Sequence, residues 1–263
     1  MFYLALVTIK GIFRDKVFRG ILVAAFLFPL IPSISTFSMR QVTALSLTLS
    51  LSLISFILLL LSIFLGGTSV WKDIERRYSI SMLGLPMSRT EYIIGKFAGI
   101  AGFIFITTIV LGVFSSMIVW YVSGAYPPDR PIVWNNVLCA IVFDALKYIL
   151  LIACAFFYST VSTSFFLPIF GAISTYFVGS ASQGVYDYIL SPAGGSLPPL
   201  FKKVVTFLYY ILPNFSAFDL QINAIYGVPL SFSGLALTFC YFVVYTAILL
   251  TLSSLIFSRR EIQ

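Results

Sequence analysis

Asp144 and Lys147 stand three residues apart inside an otherwise apolar run, Asn136–Tyr158. Residues at i and i+3 share a helix face, so the two are placed to form an ion pair. In a bilayer such charges are costly and face a bundle interior or an aqueous path. Two readings stay open: mutual neutralisation, and the lining of a polar or lateral path. A second charged group is denser: Trp71-Lys72-Asp73-Ile74-Glu75-Arg76-Arg77-Tyr78, followed by Gly84-Leu85-Pro86-Met87-Ser88-Arg89. Its chemistry is recognition, because interleaved acids and bases on a short helix form a docking surface. The alternative is a solvated connector lying on lipid headgroups.

Covalent chemistry finds few candidates. Histidine is absent, which removes Ser-His and Cys-His pairs and imidazole metal sites. Cys139, Cys154 and Cys240 all lie in apolar segments without C-x-x-C spacing; they read as small buried hydrophobes. No paired aspartates occur within apolar runs, which disfavours an intramembrane protease. Gly95-Lys96 falls short of a phosphate-binding loop, since Thr90 stands where a glycine is needed and Phe97 follows the lysine. No catalytic, cofactor-binding or metal residues are expected.

The elements that position these charges are membrane helices. The chain is 60% hydrophobic, 10% charged, and has a mean hydropathy of +1.03. No soluble domain covers that much apolar surface. The apolar runs are too long and continuous for barrel strands, so helices are expected. Six spans can be placed: Gly20–Phe37, kinked by Pro29 and Pro32; Val42–Val70; Phe97–Val122; Asn136–Tyr158; Phe165–Ser180; and Ser233–Phe257. The expected fold is an all-α integral membrane protein, one domain over residues 1–263.

Most basic residues fall on one side of that arrangement: Lys10, Arg14, Lys16, Arg19, Lys72, Arg76, Arg77, Arg89, Lys96, Arg259 and Arg260. Arg40, Arg130, Lys202 and Lys203 fall on the other. The positive-inside rule then puts both termini in the cytoplasm, and the net charge of +7 needs no nucleic acid to explain it. Residues 1–19 read as a retained interfacial helix, with Leu6, Ile9, Phe13 and Val17 on one face, rather than a cleaved signal peptide. Leu200–Ile225 reads as short outer helices dipping partway into the membrane and broken at Pro213-Asn214, inside an extracytoplasmic loop over 182–230.

Between the second and third spans, a helix over Lys72–Leu83 places Ile74, Tyr78 and Met82 on one stripe, and Asp73 is spaced to pair with Arg77. Gly84 and Pro86 end it. Ser88-Arg89-Thr90-Glu91 reads as a capping box that starts the next helix. Gly95, Ala98, Gly99 and Gly102 form one small-residue face, and Gly171, Thr175 and Gly179 another; such faces admit close helix contact. Ser46, Ser50, Ser52, Ser55 and Ser62 line the second span, free to bond to its own backbone or across helices.

The order of parts resembles the permease subunits of ABC transporters of the ABC-2 type, within the branch that includes the multi-copper-enzyme maturation (nitrous oxide reductase accessory) permeases. The residues that carry the likeness are Asp73-Ile74-Glu75 through Leu85-Pro86-Met87-Ser88-Arg89, Gly95-Lys96, Leu212-Pro213-Asn214-Phe215, and the ending Phe257-Ser258-Arg259-Arg260-Glu261. The resemblance implies a bacterial or archaeal cytoplasmic membrane and a transmembrane unit of two copies, or one copy and a paralogue. It implies a separate cytoplasmic ATPase that binds the ATP and Mg2+. Residues 71–96 become a coupling loop, with Asp73, Glu75, Arg76, Arg77, Leu83 and Leu85 against that ATPase, and Pro213, Asn214 and Phe215 belong to an outer gate. The direction implied is export, and an extracytoplasmic accessory protein is a further partner. A different class of function fits the same parts: a non-transporting transducer that relays ATPase motion to envelope proteins. An ion-driven carrier would want more intramembrane carboxylates than Asp144. Aromatic belts account for many of the 27 Phe and 15 Tyr, so these residues do not define a cargo.

Overall fold

The computed structural model describes residues 2–12, 20, 30–37, 41–75, 88–128, 130–162, 164–192, 194 and 197–259. All regular structure among them is helical. The helices are α1 (Phe2–Ile12), α2 (Ile31–Ser35), α3 (Val42–Leu61), α4 (Gly67–Glu75), α5 (Arg89–Ala125), α6 (Trp134–Val161), α7 (Phe166–Leu190), α8 (Pro199–Ile211), α9 (Gln221–Tyr226) and α10 (Phe232–Arg259). A π-helical turn, Ser62–Gly66, joins α3 to α4 end to end, and a 3-10 turn, Ser216–Phe218, sits between α8 and α9.

Among the described residues, four helices are long and apolar enough to cross a membrane: Val42–Ser69, Arg89–Ala125, Trp134–Val161 and Phe232–Arg259. They mark a membrane protein. The expected fifth span is α7, a helix of 25 residues that runs ten residues past the expected end at Ser180. Ser180, Ser182, Gln183 and Asp187 dilute its apolar character in that second half. The expected first span falls largely outside the described residues, of which α2 is the longest helical piece there.

Helix α6 is the axis of the bundle. It packs against α3, the π turn, α4, α5, α7, α9 and α10, and 83% of its most apolar stretch is buried, against 6% for α10. That contrast decides which helix organises the core and which presents a face outward. It also corrects one expectation: Cys154 on α6 is buried, but Cys240 on α10 is exposed.

Local chemistry sets the ends. The Ser88 hydroxyl accepts from the Glu91 N–H at 3.2 Å, and the Ser88 N–H donates to Glu91 Oε2 at 2.9 Å. This reciprocal box starts α5 where the sequence predicts it. Pro199 opens α8 at a position where its missing N–H costs nothing. Gly227, at φ 66°, closes α9 in the left-handed conformation that other residues resist.

The helix termini gather into two ends. At one, Thr43 Oγ1 donates to the Tyr126 carbonyl at 2.6 Å, and Asn136 Nδ2 donates to the Asn223 and Val228 carbonyls, both at 2.9 Å. At the other, Arg89 Nη1 donates to the Ser258 carbonyl at 2.9 Å and Thr90 bonds Ser254 at 2.8 Å. The second end carries Lys10, Arg89, Lys96 and Arg259, one basic residue more than the Arg130, Lys202 and Lys203 assigned to the other side, and is the basic end. Helix α1 lies against α5 there. A Cβ on Gly99 would stand 2.8 Å from Thr8 Cβ, so glycine permits that approach. The packing face of α1 holds Leu4 and Ile12, both buried, while Leu6 and Val7 are exposed. Of the stripe expected at Leu6, Ile9, Phe13 and Val17, Leu6 is exposed, Ile9 packs partly buried against the core, and Phe13 and Val17 lie outside the described residues.

Candidate functional site

The middle of α6 supplies the first cluster. Its helical turn places Lys147 Nζ 2.5 Å from Asp144 Oδ1, with the two side chains only 8% and 13% exposed. Ser55 of α3 reaches into the pair. Its hydroxyl donates to Asp144 Oδ1 at 3.1 Å, accepts from Lys147 Nζ at 3.3 Å, and lies 2.6 Å from the Tyr148 hydroxyl. With its single proton given to Asp144, Ser55 accepts from Tyr148. The Lys147 ammonium also sits 4.7 Å from the centre of the Tyr148 ring. One serine thus completes the coordination of both charges, and polar groups that would be costly apart are satisfied together.

The segment holding Pro213, Asn214 and Phe215 closes over this cluster from the end opposite the basic one. Gly179, midway along α7, admits it: a Cβ there would stand 2.3 Å from the Pro213 carbonyl oxygen. The Phe215 N–H donates to the Gly179 carbonyl at 3.3 Å, and Ser216 Oγ donates to the Ser180 carbonyl at 2.6 Å. The Asn214 N–H donates to the Tyr241 hydroxyl at 3.0 Å. Asn214 Nδ2 and the Tyr209 hydroxyl both donate to Gln183 Oε1, at 2.7 and 2.8 Å. The irregular backbone there has its Asn214 and Phe215 N–H groups satisfied by protein partners. Phe215 and Phe218 are fully buried. The Phe215 ring lies 6.0 Å from Tyr176, which stacks on Tyr148 at 6.1 Å, so aromatic contact runs from this segment to the ion pair. Between Asp144 and Phe218–Gln221 remains a void of about 10 Å3, room for one water.

The third cluster lies at the basic end. Lys96 of α5 pairs with Asp73 of α4. The Tyr92 hydroxyl donates to Asp73 Oδ2 at 2.5 Å, and Lys96 Nζ donates to the Ser69 carbonyl at 2.7 Å. The Asp73 side chain is 26% exposed and that of Lys96 9%. The Asp73 carboxylate is thus held by Lys96 and Tyr92; Arg77, its expected partner, lies outside the described residues. These groups floor a cavity of about 240 Å3 bounded by α1, α4 and α5. Glu75 ends α4; its side chain and the whole of Arg76, Arg77, Leu83 and Leu85 lie outside the described residues.

Residue types alone single out Asp144, Lys147 and Asp73, and the structure adds Ser55, Tyr148, Tyr92, Lys96 and Gln183. The Tyr92–Lys96 spacing of four was the one available signal for the basic-end cluster, because it puts both groups on one helix face. No protein-family model matches the chain, and no curated protein matches it.

Proposed function

We propose that this chain is the permease subunit of an ATP-driven transporter of the ABC-2 type that its sequence resembles, coupling ATP hydrolysis by a separate cytoplasmic ATPase to outward transport of substrate. Six spans are formed by a segment within residues 20–37 and by α3 with α4, α5, α6, α7 and α10, in a bacterial or archaeal cytoplasmic membrane. Both termini are cytoplasmic, and a second copy or a paralogue completes the transmembrane unit.

One observation carries the reading. Residues 42–75 run as a continuous helical rod about 50 Å long, and α5 about 55 Å, against a hydrocarbon core of roughly 30 Å. Both helices exceed that thickness, and Asp73–Lys96 joins them near the basic end. A hairpin of two long helices bridged at this end supports the reading of Glu75, Arg76, Arg77, Leu83 and Leu85, which fall at the end of α4 or in the connection to α5, as contacts for the ATPase. The ATPase binds ATP and Mg2+; its closure moves the hairpin as a body, and α3, α5 and α6 repack. Asp73 acts in this scheme by bracing α4 on α5.

The test is purification of the intact protein in mild detergent with identification of co-purifying subunits. Glu75→Lys and Arg76→Glu are expected to lose a nucleotide-hydrolysing partner while the permease keeps its thermal stability. A complex with no such partner, or variants that retain it in full, overturns the proposal. The transducer reading is favoured by one feature, the closed middle over which Phe215 and Phe218 pack. ATP-dependent flux in proteoliposomes holding the complete complex separates the two.

A further inference from the structure

A cavity of about 590 Å3 opens at the end opposite the basic one, away from both ion pairs. Its size is that of small-ligand sites. Three elements form it: the first turns of α3, the connection between α5 and α6, and α9. The connection carries Pro127, Pro128 and Pro131, whose fixed backbone angles make a stiff wall. The Thr43–Tyr126 bond ties that wall to α3, and the Asn136 amide ties α6 to the α9 region. The cavity is therefore built into the fold.

Its lining is layered. Arg130 is the charged side chain among the described lining residues; it is exposed and has no ion-pair partner among the described residues. Gln41 lines the same cavity at the head of α3 and makes no side-chain capping bond. Leu47 is buried, roughly 9 Å further along α3 at 1.5 Å per residue, and Ile132 adds a second apolar surface. Trp120, Tyr121, Tyr126, Trp134 and Tyr226 are exposed at this same end. Exposed Trp and Tyr in such numbers mark the headgroup layer of a bilayer. The cation thus sits at headgroup level and the apolar wall on the hydrocarbon side.

We infer that this cavity binds an anionic amphiphile. A phosphate or carboxylate headgroup takes the paired N–H donors of the Arg130 guanidinium, with the Gln41 amide as a second donor, and its hydrocarbon lies along Val42, Leu47 and Ile132. A simple anion would leave the apolar wall unused, and a neutral amphiphile would leave the guanidinium unused. This site goes beyond the proposed transport role and does not depend on an ATPase.

The full-length chain is placed in phosphatidylcholine nanodiscs and titrated with 11-(dansylamino)undecanoic acid, its methyl ester and inorganic phosphate. The acid is expected to bind saturably. Loss of one charge-assisted pair is worth about a tenfold change in affinity, so Arg130→Gln weakens the acid about tenfold and leaves the ester unchanged. Arg130→Lys recovers part of the loss. Thermal unfolding checks that the variants remain folded, as expected for an exposed side chain. Equal binding of acid and ester, an unaltered affinity in Arg130→Gln, or inorganic phosphate binding as tightly as the acid each overturns the proposal. Nanodiscs containing phosphatidylglycerol separate the sources. Competition with the acid supports a membrane lipid as occupant, and its absence supports a soluble amphiphile; either result keeps an anionic amphiphile in the site.

Discussion

The two carboxylate–ammonium pairs use the same chemistry and connect different things. Asp144–Lys147 is closed within one turn of α6, and its link to another helix is the Ser55 hydroxyl. Asp73–Lys96 joins residues on α4 and α5, with Tyr92 and the Ser69 carbonyl added. The first is enclosed by packed helices; the second borders a cavity and has a partly exposed carboxylate. An enclosed pair makes its own members indispensable to each other, since bulk water cannot take the place of either partner. A bridging pair near water instead fixes the relation between two helices, and tolerates loss of a member better. The middle of the molecule is thus committed to one arrangement, while the basic end holds two long helices together by a bond that remains within reach of solvent.

The sharpest way to break this contrast is Asp144→Asn. It leaves the Lys147 charge buried without its counter-ion, and removing one member of a buried pair costs about 3–5 kcal/mol. Thermal unfolding in detergent is expected to show that loss. The double variant Asp144→Leu with Lys147→Met is expected to regain most of it; a double variant as unstable as the single one would refute the self-contained character of the pair. Next in size is Gly179→Ala, which forces a Cβ against the Pro213 carbonyl and costs about 1–3 kcal/mol, as overpacking does. It is also expected to raise the reactivity of an Asn214→Cys thiol, in a background lacking the native cysteines.

At the basic end the effects are smaller. Asp73→Asn removes a charge-assisted bond near water, worth about 1.5–3 kcal/mol before solvent compensates; less than the Asp144→Asn cost is expected. The exchange Asp73→Lys with Lys96→Asp regains part of it, and amide hydrogen exchange along α4 reports whether the bridge holds the helix. Smallest is Gln183→Leu, which leaves the Asn214 amide and the Tyr209 hydroxyl without their shared acceptor, a net change of about 1 kcal/mol.

Much of the scaffold is readable from residue order. The helical class follows from apolar run length, the start of α5 from Ser88 and Glu91, and the break after α8 from Pro213. Gly171, Thr175 and Gly179 form a close-contact face: Tyr158 lies against Gly171 and bonds Thr175 at 2.7 Å, and Pro213 lies on Gly179. Spacing could nominate that face but not its occupants, because composition does not specify which neighbour arrives. The same limit applies to Ser55. Six serines lie along the second span, and only its rotation against α6 selects one for Asp144. Asp73 shows a further limit. Lys96, 23 positions later, holds the carboxylate, and such pairing depends on how two long helices return past each other. The length of α7 was hidden for another reason: its second half is polar enough to read as loop.

The π turn at Ser62–Gly66 has a consequence for chain length. A wider turn of this kind accommodates one surplus residue in the rod formed by α3 and α4. Deleting Ile63 is therefore expected to convert the turn to ordinary α geometry while Ser55 and Asp73 keep their azimuths. The same deletion at Leu58 turns everything beyond it by about 100°, and carries Asp73 away from Lys96. The rod holds one spare residue, and the place where it can be discarded is set by its winding.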